Sequence, residues 1–259
     1  MSGAVDGALY RQAVATAELV LGCVVPVMVE DNAVEAMPYF YIGTGFFVTF
    51  MDGLYLVTTR HSFKNHSVEP HQISVPRPTG GREFLSFDRR YCARINSEPV
   101  PDWADYIIVR AKAGSYTQED LVRLRPFPIT RANIIMPTSP RVLKLFLRGF
   151  PRVLNDHRYD DKVLVKKAFL FDADYRDKDS EERCYVATYQ PHHDVPDPDY
   201  LSGSPVVGLV RQDDGSICVR LTGMMLRSGA KSVYVRFMGV EVLWSAFVQQ
   251  AKDEGVNAG

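Results

Sequence analysis

A chain of 259 residues with 46% hydrophobic content can fill one large domain or two small ones around a shared cleft. Its net charge of −1 gives no global attraction for nucleic acid or an anionic membrane. No apolar run approaches the roughly 18 residues of a membrane-spanning helix.

Residues 1–7 carry no Lys or Arg, and Glu18 interrupts the apolar stretch 13–25, so no secretory signal is expected. Tyr10, Val14, Ala17 and Leu21 recur at helical spacing, which predicts a short amphipathic helix in an N-terminal extension, residues 1–23. From Val24 the pattern changes to short β-rich runs. Residues 24–29, 39–50 and 54–59 read as strands, with Asp52-Gly53 as a type I′ hairpin signal between the last two. Residues 73–75, 83–87, 91–95 and 106–110 complete a first barrel over residues 24–110.

Residues 111–140 hold Pro126, Pro128, Pro137 and Pro140 and little periodic pattern, which suits a linker. A second strand set follows in residues 141–239: 142–150, 162–171, 184–189, 206–210, 217–225 and 233–238. Asp214-Gly215 marks a hairpin within it, and the basic residues of 141–167 read as the wet face of strands. The run Asp172, Asp174, Asp177, Asp179, Glu181 and Glu182, interleaved with Arg176, Lys178 and Arg183, reads as an exposed loop. Val240, Leu243, Trp244, Phe247, Val248 and Ala251 share one helical face, which places a packing helix in residues 240–259. Many short strands at regular spacing with a closing helix are what a double β-barrel requires.

Cys23, Cys92, Cys184 and Cys218 are scattered without C-x-x-C spacing. With no export signal they read as reduced thiols, and the expected location is cytoplasmic. His192-His193-Asp194 sits on an extended segment whose neighbouring side chains face opposite ways, so no metal site is expected. Gly43-Thr44-Gly45 lacks the lysine and following helix of a phosphate loop, and no cofactor is expected.

The segment Asp199-Tyr200-Leu201-Ser202-Gly203-Ser204-Pro205-Val206 places a serine in a tight turn before an apolar run. A serine hydroxyl is a poor nucleophile unless a base takes its proton and N–H groups receive the developing charge. Two other segments offer partners. In Tyr55-Leu56-Val57-Thr58-Thr59-Arg60-His61 an apolar strand runs into a histidine, and in Asp105-Tyr106-Ile107-Ile108-Val109 an aspartate opens a β-branched strand.

On these residues the chain resembles the trypsin-like (chymotrypsin-fold) serine peptidases, above all their compact bacterial branch. The order His61, Asp105, Ser202 is that fold's order. Thr58-Thr59-Arg60-His61 resembles T-A-A-H, Asp105-Tyr106-Ile107-Ile108-Val109 resembles D-I-A-L-V, and Tyr200-Leu201-Ser202-Gly203-Ser204-Pro205 resembles G-x-S-G-[GS]-P. Gly43-Thr44-Gly45-Phe46 is similar to G-S-G-F, Gly149-Phe150-Pro151 to G-Y-P, and Leu221-Thr222-Gly223-Met224-Met225 to the strand after the serine.

The resemblance implies an all-β double six-stranded antiparallel β-barrel with a short N-terminal helix and a C-terminal helix. It implies a serine endopeptidase acting on a protein or peptide, with Ser202 as nucleophile and His61 as base. Asp105 would orient His61, with Asp102 as the competing carboxylate three residues earlier. The backbone N–H groups of Tyr200 and Ser202 would form the oxyanion hole. Met225 would approach the pocket wall, while Leu226, Arg227 and Ser228 would form the edge that pairs with substrate backbone. Asp194, Asp197 and Asp199 fit either an acidic pocket or a solvated loop.

Three positions depart from the pattern. Tyr200 stands where glycine is usual, and a bulky side chain there disfavours the peptide orientation the hole needs. That points to a hole formed only with a substrate or a regulatory protein partner. Leu201 stands where the digestive branch has an activating aspartate, which removes that zymogen route. Arg60 replaces the alanine before the histidine. The alternative function is a catalytically silent trypsin-like module that binds peptides or acts as a scaffold. An α/β-hydrolase is disfavoured by the absent G-x-S-x-G elbow and by the residue order.

Overall fold

The computed structural model describes residues 7–30, 39–63, 68–79, 83–93, 95, 100–151, 156–158, 163–165, 167–179, 183–190, 201–228 and 233–255. Helix α1 (Gly7–Val20) buries Ala13 and Ala17 and runs into a 3-10 turn that buries Leu21. Of the expected stripe Ala17 and Leu21 are buried and Val14 packs against the core, whereas Tyr10 is exposed and the contact is made by the small Ala13 and Ala17. They let the helix lie close to the second barrel. Arg148 Nη1 on that barrel reaches the carbonyls of Glu18 and Leu21 at 3.2 and 3.4 Å, satisfying acceptors the helix end leaves open.

The first sheet contains β1 (Val24–Glu30), β2 (Tyr39–Phe50), β3 (Gly53–Thr58), β4 (Ile73–Pro76), β5 (Phe84–Leu85), β6 (Phe87–Tyr91), β7 (Ile107–Ala111) and β8 (Phe127–Pro128). Its order is β5-β4-β1-β2-β3-β7-β6, with β8 parallel to β2. The two end strands are separated in sequence by Ser86 alone, so the sheet must curl until its ends meet there. The strand expected at 83–87 is β5 and the start of β6, broken at Ser86, while of the strand expected at 91–95 only Tyr91 lies in a strand and Cys92 and Ala93 lie outside any. Leu85 and Phe87 are both buried across the break. The alternation runs on while the pairing partner changes from β4 to β7, and a periodic pattern does not register that change.

The β2–β3 turn also differs from expectation. Phe50 pairs with Gly53, so the turn residues are Met51 and Asp52, with positive φ at Met51 (50°). Gly53 serves packing instead, since a Cβ there would fall 2.4 Å from the Tyr55 ring.

The stretch expected to be a featureless linker holds β8 and a helix, α2 (Gln118–Leu124). Thr117 and Asp120 form a reciprocal capping box, a Thr-x-x-Asp signal that the sequence carries openly. The fully buried Asp120 carboxylate accepts from Arg77, from Thr79 Oγ1 (3.1 Å), and from Thr117 N and Oγ1 (2.8 and 2.9 Å). The Arg77 guanidinium, then the Thr117 and Thr79 donors, hold this carboxyl well below the usual carboxylate range. A carboxylate with a depressed pKa stabilises the fold above its unfolded value near 3.9 and ceases to do so as pH falls toward its folded value. Asp120→Ala is therefore expected to cost on the order of 3 kcal/mol at pH 7. In urea unfolding the gap between variant and parent should narrow below about pH 4.

The second half is a closed barrel in the order β12-β13-β16-β15-β14-β9. Its strands are β9 (Val142–Gly149), β12 (Phe169–Asp179), β13 (Cys184–Tyr189), β14 (Pro205–Arg211), β15 (Ile217–Ser228) and β16 (Tyr234–Gly239). A separate two-stranded pair joins β10 (Asp156–Arg158) to β11 (Val163–Val165). The single strand expected at 162–171 is therefore split between β11 and β12. The acidic run expected to be a loop lies in β12 as far as Asp179, paired with β13; Glu181 and Glu182 fall outside the described residues. Only Phe171 and Ala173 are buried there, which hides the strand alternation, and Lys144 bridges Asp172 and Asp174 at 3.1 and 2.9 Å. The hairpin at Asp214-Gly215 is present, with Gly215 at φ 81°.

Helix α3 (Val240–Asp253) buries Val240, Leu243, Phe247 and Ala251. The Phe247 ring meets Phe50 and Tyr55 at 5.1 and 5.4 Å, so the C-terminal helix closes over the first sheet. Burying that ring is worth roughly 1.5–3 kcal/mol. The result is the expected fold class: mostly β, a closed six-stranded barrel beside a curled sheet, with a short helix at each end.

Candidate active site

Antiparallel pairing of β3 with β7 places Thr58 opposite Ile107, so the chain leaving β3 passes the residue two places before β7. That residue is Asp105. Its N–H closes the 3-10 turn of Asp102–Ala104 on the Asp102 carbonyl at 3.2 Å. The Asp105 carboxylate is nearly buried and holds His61 at two points. Oδ1 accepts the His61 backbone N–H at 2.8 Å, and Oδ2 lies 2.5 Å from Nδ1. A carboxylate on Nδ1 assigns the proton to that nitrogen and leaves Nε2 as an acceptor. The imidazole itself is 44% exposed.

Ser202 lies in the turn that opens β14. Gly203 N donates to Met225 O (2.8 Å), Ser204 N to Leu201 O (2.9 Å), and Met225 N to Ser204 O (2.8 Å). Both backbone groups of Met225 thus hold the turn. Gly203 has φ 90°, and a Cβ there would sit 2.0 Å from the Thr44 carbonyl oxygen. No residue with a side chain fits. Ser204 is fully buried.

Thr44 joins the two halves. Its N–H donates to Ser202 O at 3.1 Å, its carbonyl accepts Thr58 Oγ1 at 2.8 Å, and its hydroxyl accepts Phe150 N at 3.0 Å. A chain of bonds therefore runs from Ser202 through Thr44 to Thr58, the last residue of the strand leading to His61. Ser62, bonded to Thr59 Oγ1 at 2.7 Å, and the Ser202 carbonyl both lie against Gly43. The motifs Gly43-Thr44-Gly45 and Ser202-Gly203 are recognisable in sequence, but Thr44 as the link between them is not. Its role arises from a contact between residues 158 positions apart.

Among the described residues the Ser202 hydroxyl makes no hydrogen bond, to His61 or any other group. The His61–Asp105 contact is made, while none joins His61 to Ser202. Such bonds commonly tighten only when substrate is bound. The Ser202 N–H, one expected oxyanion donor, has no acceptor among the described residues. Tyr200, the other, lies outside them, as do Asp194, Asp197, Asp199, His192 and His193.

The expected substrate residues separate. Met225 is 1% exposed and packs with Leu201, Leu147 and Phe171 inside the barrel, so it is core rather than the wall of an open pocket. Leu201 fills the same core. Leu226 is also fully buried. Arg227 reaches across to the other sheet, its Nη2 lying 2.9 Å from Asp102 Oδ2. Asp102 is therefore partnered by Arg227, and Asp105 by His61. Ser228 ends β15. No disulfide joins Cys23, Cys92, Cys184 or Cys218, and burial pushes the Cys23 thiol up to about 12.

No protein-family model matches the chain, and no curated protein matches it in sequence. Among solved structures it is similar to the crystal structure of a scabies mite inactivated protease paralogue, S-D1, at 13% identity and a TM-score of 0.57. The likeness covers 93% of this chain and 95% of that one. It spans both sheets, and it shows that this chain has a chymotrypsin-like fold.

Proposed function

We propose that the protein is a serine endopeptidase. The observation that carries this reading is the two-point grip of the buried Asp105 carboxylate on His61, beside the Ser202 turn, within a chymotrypsin-like fold. His61 Nε2 takes the proton of Ser202 Oγ as that oxygen bonds to a peptide carbonyl carbon. The N–H groups of Ser202 and Tyr200 receive the oxyanion. The imidazolium then protonates the departing amine, leaving an acyl-enzyme. Water, deprotonated by His61, releases the acid and restores Ser202. Every group needed is a side chain or backbone amide of this chain.

The substrate is a protein or peptide. The Tyr200 substitution and the unmade His61–Ser202 bond support control by a substrate or partner that completes the site. Four cysteines without a disulfide support a cytoplasmic location. The second reading, a silent peptide-binding module, is favoured by the same unmade bond and by likeness to a paralogue described as inactivated.

A fluorophosphonate probe separates the two. The peptidase reading expects covalent labelling of the unmutated protein and none of Ser202→Ala. Absence of labelling, alone and with peptide present, would establish the silent module.

A further inference from the structure

Beside the Ser202 turn, β15 has an edge that no strand pairs among the described residues. The β14 partner begins at Pro205 opposite Met224, and the N–H and C=O of Met225 are consumed by the turn. From Leu226 to Ser228 the strand has β16 on one side, with Arg227 opposite Arg236, and no strand on the other among the described residues. An extended peptide can add to such an edge through backbone hydrogen bonds, with specificity set by the side chains it meets.

The side chain it meets is Arg227. One end of its guanidinium is anchored by Asp102, a carboxylate only 5% exposed, and the group as a whole is 53% exposed. Asp102 immediately precedes Trp103 in the turn that carries Asp105. Arg236 lies 3.9 Å from the same carboxylate and 3.2 Å from Asp179, and Arg183 lies over the Trp103 ring at 5.5 Å. Arg227 and Arg236 thus share the Asp102 carboxylate at this rim. A guanidinium has five N–H donors in a fixed plane, and one carboxylate contact leaves the others for a second planar anion.

We propose that Arg227, held by Asp102, selects peptides with an aspartate or glutamate on the amino side of the scissile bond. This deepens the peptidase reading and rests on it for the position of that bond, but the recognition is a binding property. The peptide carboxylate accepts from the guanidinium N–H groups that point away from Asp102. A lysine or arginine at the same place meets like charge.

The test uses Ser202→Ala protein, so that nothing is cleaved. Acetylated fluorescent tetrapeptide pools carry Glu, Gln or Lys at one fixed position each, and binding is read by anisotropy. The Glu pool at one position should bind about ten- to hundredfold more tightly than the Gln pool, the range of a charge-assisted hydrogen bond. Introducing Arg227→Gln should abolish that preference, and Arg227→Lys should restore part of it. Thermal unfolding of each variant checks that the fold persists. Equal binding of Glu and Gln pools at every position, or a preference that survives Arg227→Gln, overturns the proposal. Fluorophosphonate labelling of the unmutated protein is scored separately, so loss of the peptidase reading and loss of acid selection are distinguishable.

Discussion

Asp105→Asn is expected to slow phosphonate labelling of Ser202 by on the order of 10⁴-fold. The carboxylate does two things in this chain: it fixes the His61 backbone through Oδ1 and holds the Nδ1 proton through Oδ2. Asparagine nearly preserves the shape, so the loop should stay in place. Its amide, however, can present N–H to Nδ1, which moves the ring proton to Nε2 and removes the lone pair that must accept the Ser202 proton. The rate of labelling, followed by mass spectrometry over a pH series, measures this directly. Asp102→Asn is the matched control. It alters the carboxylate that serves Arg227 and leaves His61 its partner, so its effect on labelling should be under tenfold. Equal losses in the two variants would remove the assigned role of Asp105.

Gly203→Ala should be the most damaging single-methyl change in the molecule, costing more than about 4 kcal/mol. The backbone there is at φ 90°, and the added carbon would lie 2.0 Å from Thr44 O and 2.8 Å from Thr58 Oγ1. Neither neighbour can yield cheaply. Thr44 O is backbone, and the Thr44–Thr58 bond links the strand of His61 to the Ser202 turn. The variant should unfold at lower urea concentration and lose phosphonate labelling together. Gly215→Ala isolates the conformational part. It has nearly the same φ, 81°, but no atom within 4 Å of the added carbon. Its cost should be about 1–2 kcal/mol, the penalty for a left-handed backbone alone. Comparable losses at the two glycines would show that the contact with Thr44 is not what the glycine serves.

The sequence alone determined the strand content, the order His61–Asp105–Ser202 and the closing helix. Each depends on residues near one another in the chain: β-branched runs, a serine between small turn residues, apolar positions at helical spacing. It also carries the Thr117–Asp120 capping box of α2 within residues 111–140. Elsewhere local patterns were misleading for identifiable reasons. Asp52-Gly53 has the composition of a hairpin turn, but Tyr55 packs over Gly53 and moves the turn to Met51–Asp52. The charged residues of β12 resemble a loop because the strand runs out past the core, where pairing with β13 rather than burial keeps it extended.

Tertiary structure alone decided how these parts meet. Which of Asp102 and Asp105 faces His61 depends on the register of β3 against β7. Whether Met225 lines a pocket or fills a core depends on barrel closure, which buried it. That Thr44 joins the serine turn to the strand of His61, and that Arg227 faces Asp102 across the two sheets, depends on contacts spanning more than a hundred residues. Short-range periodicity reports which face of an element is apolar. It carries no information about which distant residue completes a hydrogen bond or an ion pair, and in this protein those distant pairs make the site.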